Sequence, residues 1–421
     1  MSTRYDDLAP AVPFDPYAPA FLDDPYPVYA ELRERTPVFY DDDWGLVFFT
    51  RWEDVNGILR DRRFGRDVHH ELDVKQDVDP DLYRRIYPPE YPRWVETIRG
   101  SFIDLEPPEH TRLRGLVNKA FTRRASESYR GAIRATADRA LDRVVDERTV
   151  DAIATYGVPI PVAMITDLLG IPEGDDRQQL LDWSHAIVRL FDRDVTPEEG
   201  EAAEQAVIEF TEYVRGLLDL RRREPSDDLI TAMLEVEEGG EKLSEQDIVN
   251  TTILALNAGH EATVHAIGNG LLSLSQDRDA FSTLRRDPEG VKRTAADELL
   301  RYDAPLQMFE RWVLDDLEWN GVDLEKGTKV GLLFGSANRD PDAIDEPDRL
   351  DLTRERCPHL SFGAGIHYCV GAPLASVELE EAFAAFADRV ASFELTTDEL
   401  DRIPSLVFRG VRKLPITVEP A

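Results

Sequence analysis

Residues 362–371 read Phe362-Gly363-Ala364-Gly365-Ile366-His367-Tyr368-Cys369-Val370-Gly371. One cysteine stands in a glycine-rich loop, with an apolar run, Val370 to Ala375, behind it. Glycines at 363 and 365 let the backbone turn tightly and come close to a neighbour, and Gly371 offers the same freedom two residues past the sulfur. A thiolate presented this way is a soft ligand with room beside it for a large flat group, and haem iron is held by a single Cys thiolate in some proteins. Other chemistries fit the loop taken alone. A lone cysteine is most often a free thiol buried in a turn. Cys357, His359, His367 and Cys369 offer four N/S ligands for zinc, although structural zinc sites pair their ligands at wider spacing than Cys-x-His. His367 could also act as base to a nucleophilic Cys369.

Working outward, an apolar helix is expected after the cysteine, through Leu374 to Phe386. Val330 to Phe334 and Glu310-Arg311-Trp312-Val313 read as strands. Ser244-Glu-Gln-Asp247 is a capping-box-like start, and opens a long helix from Glu245 to about Gln276. Its middle reads Ala255-Leu-Asn-Ala258-Gly259-His260-Glu261-Ala262-Thr263. A mid-helix glycine costs about 1 kcal/mol relative to alanine, so Gly259 wants a reason: close approach of a flat ligand, or helix packing. His260-Glu261 with His265 is not a zinc-protease motif, because that needs His at i and i+4 and position 264 is Val.

Glu106-Pro-Pro-Glu-His110-Thr-Arg-Leu-Arg114 opens another helix, on which His110 and Arg114 share a face. Two cations on one face suit a carboxylate-bearing ligand; solvent-exposed charge is the plainer reading. Arg112, Arg114, Lys119, Arg123 and Arg124 form a basic island with no acid between Thr111 and Ser126, which is a docking candidate for an acidic partner. Glu298 and Arg301 share a helix face, a pairing that on a surface is worth little.

Between 127 and 235 the pattern predicts successive amphipathic helices: Tyr129–Val145, Pro159–Leu169, Asp175–Phe191, Pro197–Arg222 and Asp227–Glu235. Val38 to Tyr40 and Gly45 to Phe49 read as a hairpin. The charged, aromatic stretch leading up to Glu106 reads as irregular, and Leu406 to Pro415 as a closing hairpin.

The chain has 421 residues, of which 42% are hydrophobic, enough for a large core. No repeat, linker or low-complexity tract interrupts it. No apolar run reaches the roughly 18 residues of a membrane span. The polar N-terminus is not a signal peptide, and two cysteines suit a reducing cytosol. Against 49 Lys and Arg stand 83 Asp and Glu, a net charge of −34. Such a chain repels nucleic acid and anionic membrane, and repels itself at low salt, where the Debye length is about 30 Å at 0.01 M. With only seven lysines (75, 119, 242, 292, 326, 329 and 413), this composition points to a halophilic source.

The pattern Phe362-Gly-x-Gly-x-His-x-Cys369-x-Gly371 resembles the haem-binding loop of the cytochrome P450 family, in its soluble bacterial and archaeal form. The likeness runs over nearly the whole chain and most closely over 291–385. It implies a mainly α fold with a small β-rich lobe, the cytochrome P450 fold, as one domain over 1–421. The sheet-rich lobe would come from about 36–60, 305–335 and 395–421. The resemblance implies haem b (iron protoporphyrin IX) with Cys369 as thiolate axial ligand and metal-binding residue. Phe362, Gly363 and Gly371 would shape the loop, while His110, Arg114, Arg311 and His367 would grip the propionates. Ala258 and Gly259 would line the cofactor from the long helix.

In that helix the family pattern is small-Gly-x-acid-alcohol. Ala258, Gly259 and Glu261 match it. Ala262 departs, and Thr263 comes one residue late, turned by about 100°. The catalytic set Glu261, Ala262, Thr263 is therefore expected to lack the usual hydroxyl, with water or a substrate hydroxyl in its place. Glu298 and Arg301 would form an interior pair joined by Arg349. The implied reaction is insertion of one oxygen atom from O2 into a hydrophobic small molecule. Electrons would come from NAD(P)H through a ferredoxin/ferredoxin reductase-type donor. Ser376 and Val377 replace a basic residue that the family often carries on the following helix. The resemblance implies a cytoplasmic monomer, with the substrate met by loops 66–105 and about 170–200. A peroxide-driven enzyme on the same fold, and a non-catalytic haem or zinc protein, are the rivals.

Overall fold

The computed structural model describes residues 5–118, 121–172, 174–192, 195–235, 237–238 and 241–421. The expected Lys119 of the basic island lies outside them. Val38–Asp41 runs antiparallel to Leu46–Phe49, which lies parallel to Lys329–Leu333. Met308–Val313 pairs antiparallel to that strand, and the short Phe64–Gly65 completes a five-stranded sheet. Every residue of Leu46–Phe49 and of Lys329–Leu333 is buried, as near-continuous apolar runs require.

The helical remainder is organised on Glu245–Gln276, whose Ser244 and Asp247 close a reciprocal capping box. Against it pack Pro159–Leu169, the turn Ile153–Gly157 and the helix after the cysteine, Ala372–Arg389. The bounds Glu245–Gln276 and Pro159–Leu169 are those the pattern predicts. The other expected helices appear as Arg130–Glu147, Arg177–Arg189, Pro197–Arg223 and Leu229–Glu235.

Three expectations need correction. The stretch before Glu106 is not irregular: it holds Pro80–Ile86 and Pro92–Arg99, each with proline in its first turn. Asp79 caps the first by accepting from the N–H groups of Asp81 and Leu82, a legible start signal. Leu406 to Pro415 is not a hairpin. Ser405 Oγ accepts from the N–H groups of Val407 and Phe408, both at 3.1 Å, and this local capture diverts the backbone from a ladder. Only single bridges, Leu306 to Phe408 and Arg402 to Val411, remain among the described residues. Finally, the C-terminal strand Pro415–Pro420 does not join the five-stranded sheet. It lies between Val390–Leu395 and Thr149–Asp151 in a sheet of its own.

Candidate functional site

The cysteine loop is closed on itself. Cys369 N–H donates to the Phe362 carbonyl at 2.8 Å, and Gly363 N–H to the Leu360 carbonyl at 2.7 Å. Gly363 and Gly365 have φ of 69° and 71°, the left-handed region that glycine occupies without cost. A Cβ on Gly365 would sit 2.0 Å from the Leu59 carbonyl oxygen, so the loop is pressed against another stretch of backbone. Gly371 differs from the expectation: its φ is −80°, and any residue could adopt it. What its lack of a side chain leaves clear is the sulfur's flank, where a Cβ would stand 3.9 Å from Cys369 Sγ. Burial pushes the Cys369 thiol up, while the Gly371 N–H, the Arg114 guanidinium and the Ala372 N–H pull it down.

Beside the loop lie a buried guanidinium and two buried imidazoles. Arg311 is 2% exposed; it donates to the Glu310 carbonyl and has no carboxylate within ion-pair distance among the described residues. Burial, and then Arg66, hold it down at about 9. The His110 and His367 rings are 4.4 Å apart, and burial pushes both down to about 4. His110 Nε2 and both His367 nitrogens are buried without a hydrogen-bond partner, the nearest acid being Glu106, 3.5 Å from His367 Nε2. Arg114 reaches the Tyr368 carbonyl of the cysteine loop. A buried guanidinium with no counter-ion is costly, and with two unsatisfied imidazoles it makes a cradle for carboxylates. These residues fit the acidic edge of a haem.

The middle of the long helix supplies the other wall. Ala258 is exposed although Asn257 and His260 on either side are buried, so this face borders open space. Glu261 is pushed up to about 7 by burial and then by Asp192, and its Oε2 has no partner. Thr263 is buried and turned about 100° from Ala262. Gly259 answers to packing: a Cβ there would stand 2.8 Å from Ile165 Cδ1 of helix Pro159–Leu169.

The cytochrome P450 family model matches residues 81–416. The chain belongs to the cytochrome P450 family. It is 34% identical over 418 residues to the polyketide biosynthesis cytochrome P450 PksS of Bacillus subtilis, covering 96% of this chain and 98% of that protein. To the 6-deoxyerythronolide B hydroxylase of Saccharopolyspora erythraea it is 34% identical, covering 95% and 97%. The solved structure of P450BioI with an acyl carrier protein bearing hexadec-9Z-enoic acid superposes with a TM-score of 0.86. There the identity is 32%, and the coverage 95% of this chain and 99% of that one. As a cytochrome P450, the protein is a haem-thiolate monooxygenase with a cysteine axial ligand, a redox partner and a hydrophobic substrate. No helix among the described residues is long and apolar enough to cross a membrane.

In this P450 the interior ion pair is built differently from the expectation. Arg301 clasps Glu298 at 2.7 and 2.8 Å, with both side chains fully buried. The third member is Arg354, whose Nε donates to Glu298 Oε2 at 3.2 Å. Arg349 contributes its carbonyl to Arg301, while its guanidinium lies exposed with Glu346. Position 349 precedes Leu350, which turns into the core, so the guanidinium is left outside. Cys357 donates to Glu298 at 3.4 Å and His359 faces Asp297, while His367 faces Glu106. The four N/S groups weighed for zinc therefore do not converge. Asn338 extends the network by accepting from Leu360 N–H at 2.6 Å and donating to Ser361, which fixes the chain leading into the cysteine loop.

Sequence reasoning missed Arg354, Glu106, His185 and His265. The spacing of Glu261 and His265, four apart on one helix, was the available signal for the last.

Proposed function

We propose that Cys369 is the axial thiolate of this monooxygenase, and that Arg311, His110, His367 and Arg114 hold the haem propionates. The observation that carries the reading is the meeting of a glycine-locked, partly buried thiol with a buried guanidinium that lacks a counter-ion and two buried, unsatisfied imidazoles. When bound, the haem supplies oxygen activation, to which a thiolate ligand contributes electron density favouring O–O cleavage. The chain's own residues do the rest. Charge-assisted hydrogen bonds from the cradle fix the group's orientation. Phe362 packs beside the sulfur, and Ala258 keeps the opposite wall low. Glu261, protonated in part at neutral pH, donates a proton towards Ala262, where water or a substrate hydroxyl replaces the missing alcohol.

The substrate reaches this space past a cavity of about 100 Å³ lined by Ile86, Tyr87, Trp94, Ile98, Phe191 and Trp312, among others. Charged groups, Arg66, Arg85, Asp104, Asp192, Glu310 and Lys329, line it as well, and its aromatic and aliphatic side chains support a hydrophobic substrate. The electron donor is a ferredoxin-type protein that docks on the cysteine-loop face. Ile366 and Tyr368 are 43% and 44% exposed there, and the basic island supports the same reading. Arg123 and Arg124 are exposed and form no ion pair among the described residues. The protein acts as a single-domain cytoplasmic monomer adapted to high salt. An absorption spectrum of the reduced, CO-bound protein tests the reading: a thiolate-type band supports it, and a histidine-type band or none at all overturns it.

A further inference from the structure

The long helix carries a second cluster of titratable groups that faces helix Arg177–Arg189. His260 Nδ1 donates to the Leu256 carbonyl at 2.8 Å, which leaves Nε2 as a free acceptor, buried and unpartnered. The His260 ring lies 5.9 Å from that of His185, and His185 is exposed. On the next turn, His265 Nε2 is 4.0 Å from Glu261 Oε1. Both His265 nitrogens and Glu261 Oε2 are buried without a hydrogen-bond partner. Each such orphan is costly if it stays dry, so this concentration asks for water between the groups. The described residues contain no group of three ligands placed to hold a metal.

Helix geometry sharpens the point. At about 100° per residue, position 265 falls roughly 40° from Glu261 and 60° from Ala262, on the stripe between them. Thr263 lies on the other side of Ala262.

We propose that His265 returns the proton to Glu261, standing in for the alcohol absent at 262, and that His185 and His260 join the pair to solvent through water. The purpose of the device rests on the monooxygenase reading, since reducing O2 consumes protons. In the step itself Glu261 releases its carboxyl proton towards Ala262. Water beside His260 and His185 protonates the free ring nitrogen of His265, and the imidazolium so formed passes its Nε2 proton to Glu261 Oε1 and is left neutral. Only O–H and N–H bonds change, and no electrons move.

Burial, pushing Glu261 up to about 7 and His265 down to about 4, keeps the shared proton on the carboxyl at rest. The charged groups facing the cluster are Asp192, which faces Glu261 from the segment after Arg177–Arg189, and Asp182, beside His185. From the C-terminal segment Phe408 and Gly410 face His265. A Cβ on Gly410 would stand 2.5 Å from His265 Nδ1, so that side of the ring is closely covered.

The test is an infrared pH titration of the protonated carboxyl band, assigned to Glu261 by its loss in Glu261→Gln. Glu378, buried in helix Ala372–Arg389 and pushed up to about 8, gives an internal reference. In His265→Gln the Glu261 midpoint should move by roughly half a pH unit or more, with the Glu378 band unmoved. O2 consumption by the reduced holoprotein should also slow about tenfold or more and lose its sensitivity to D2O. A Glu261 midpoint and consumption rate equal to wild type would overturn the proposal. If His265→Gln does not fold, His185→Gln at the exposed end decides: slower O2 consumption with an unchanged haem spectrum supports the path, and an unchanged rate overturns it. Absence of the thiolate CO band would sink the monooxygenase reading alone, because the infrared titration can be read without haem.

Discussion

The two walls of the site are built on opposite rules. In the cysteine loop the backbone is tied down: Cys369 to Phe362, Gly363 to Leu360, Leu360 to Asn338. Gly365 is in addition pressed on Leu59. Across the site, His260, Glu261 and His265 keep buried polar atoms with no hydrogen-bond partner. A ligand that must hold a metal in one geometry profits from a rigid, satisfied frame. Groups that pass protons must keep valences free for water, and they accept a desolvation cost that the loop's backbone avoids and that, on that side, the His367 and His110 rings share. The difference separates holding from transfer within one active site.

The sharpest way to break the comparison is at the sulfur. Cys369→Ala should abolish the thiolate-type CO band. Cys357→Ala should leave it intact, because Cys357 faces the interior ion pair through Glu298. Equal loss in both variants would mean that the loop is not the frame described.

The open wall responds next. Glu261→Gln should slow turnover by roughly 10²–10⁴, the usual worth of a lost general acid. Ala262→Thr should leave haem binding and stability nearly unchanged and shift the ratio of product to NAD(P)H consumed, because the helix keeps its shape and gains one hydroxyl. Turnover of Glu261→Gln at the wild-type rate with the same coupling would place the proton path elsewhere.

The two walls were unequally legible in the sequence. The loop announces itself through glycine spacing around one cysteine, because its backbone conformation depends on residue type. The long helix was readable to the residue from its cap at Ser244 and its apolar period. The polar cluster was not, since it joins residues from two helices, and nothing in positions 185 and 260 says that they meet. Arg354 was passed over for Arg349 for a similar reason: an irregular segment has no period that tells which arginine points inward. The helix Pro80–Ile86 was available, through Asp79-Pro80, but was hidden by the charge around it.

Arg354 and Arg349 give the third test, within the frame that holds the loop. Arg354→Ala leaves buried Glu298 short of a partner and should destabilise by about 3 kcal/mol. Arg349→Ala removes an exposed charge and should change stability by no more than about 0.5 kcal/mol. Chemical denaturation of both variants reads the contrast, and equal losses would return the third place to Arg349.

The outer surface of the closed wall should give the smallest effect. Its net environment is acidic, at −34 for the chain, so the exposed Arg123 and Arg124 are local exceptions. Charges at a rim govern the rate of encounter more than the final affinity. Arg124→Glu should therefore slow reduction by a ferredoxin-type donor several-fold at low salt and leave the CO band and substrate binding unchanged. At molar KCl the Debye length falls to about 3 Å, and the difference from wild type should vanish. Over the same series the melting temperature should rise as repulsion among the carboxylates is screened; a flat curve would remove the salt-adaptation reading. A reduction rate that Arg124→Glu leaves unchanged at low salt would move the donor's footprint off the basic island and leave the apolar pair Ile366 and Tyr368 as the remaining contact on that face.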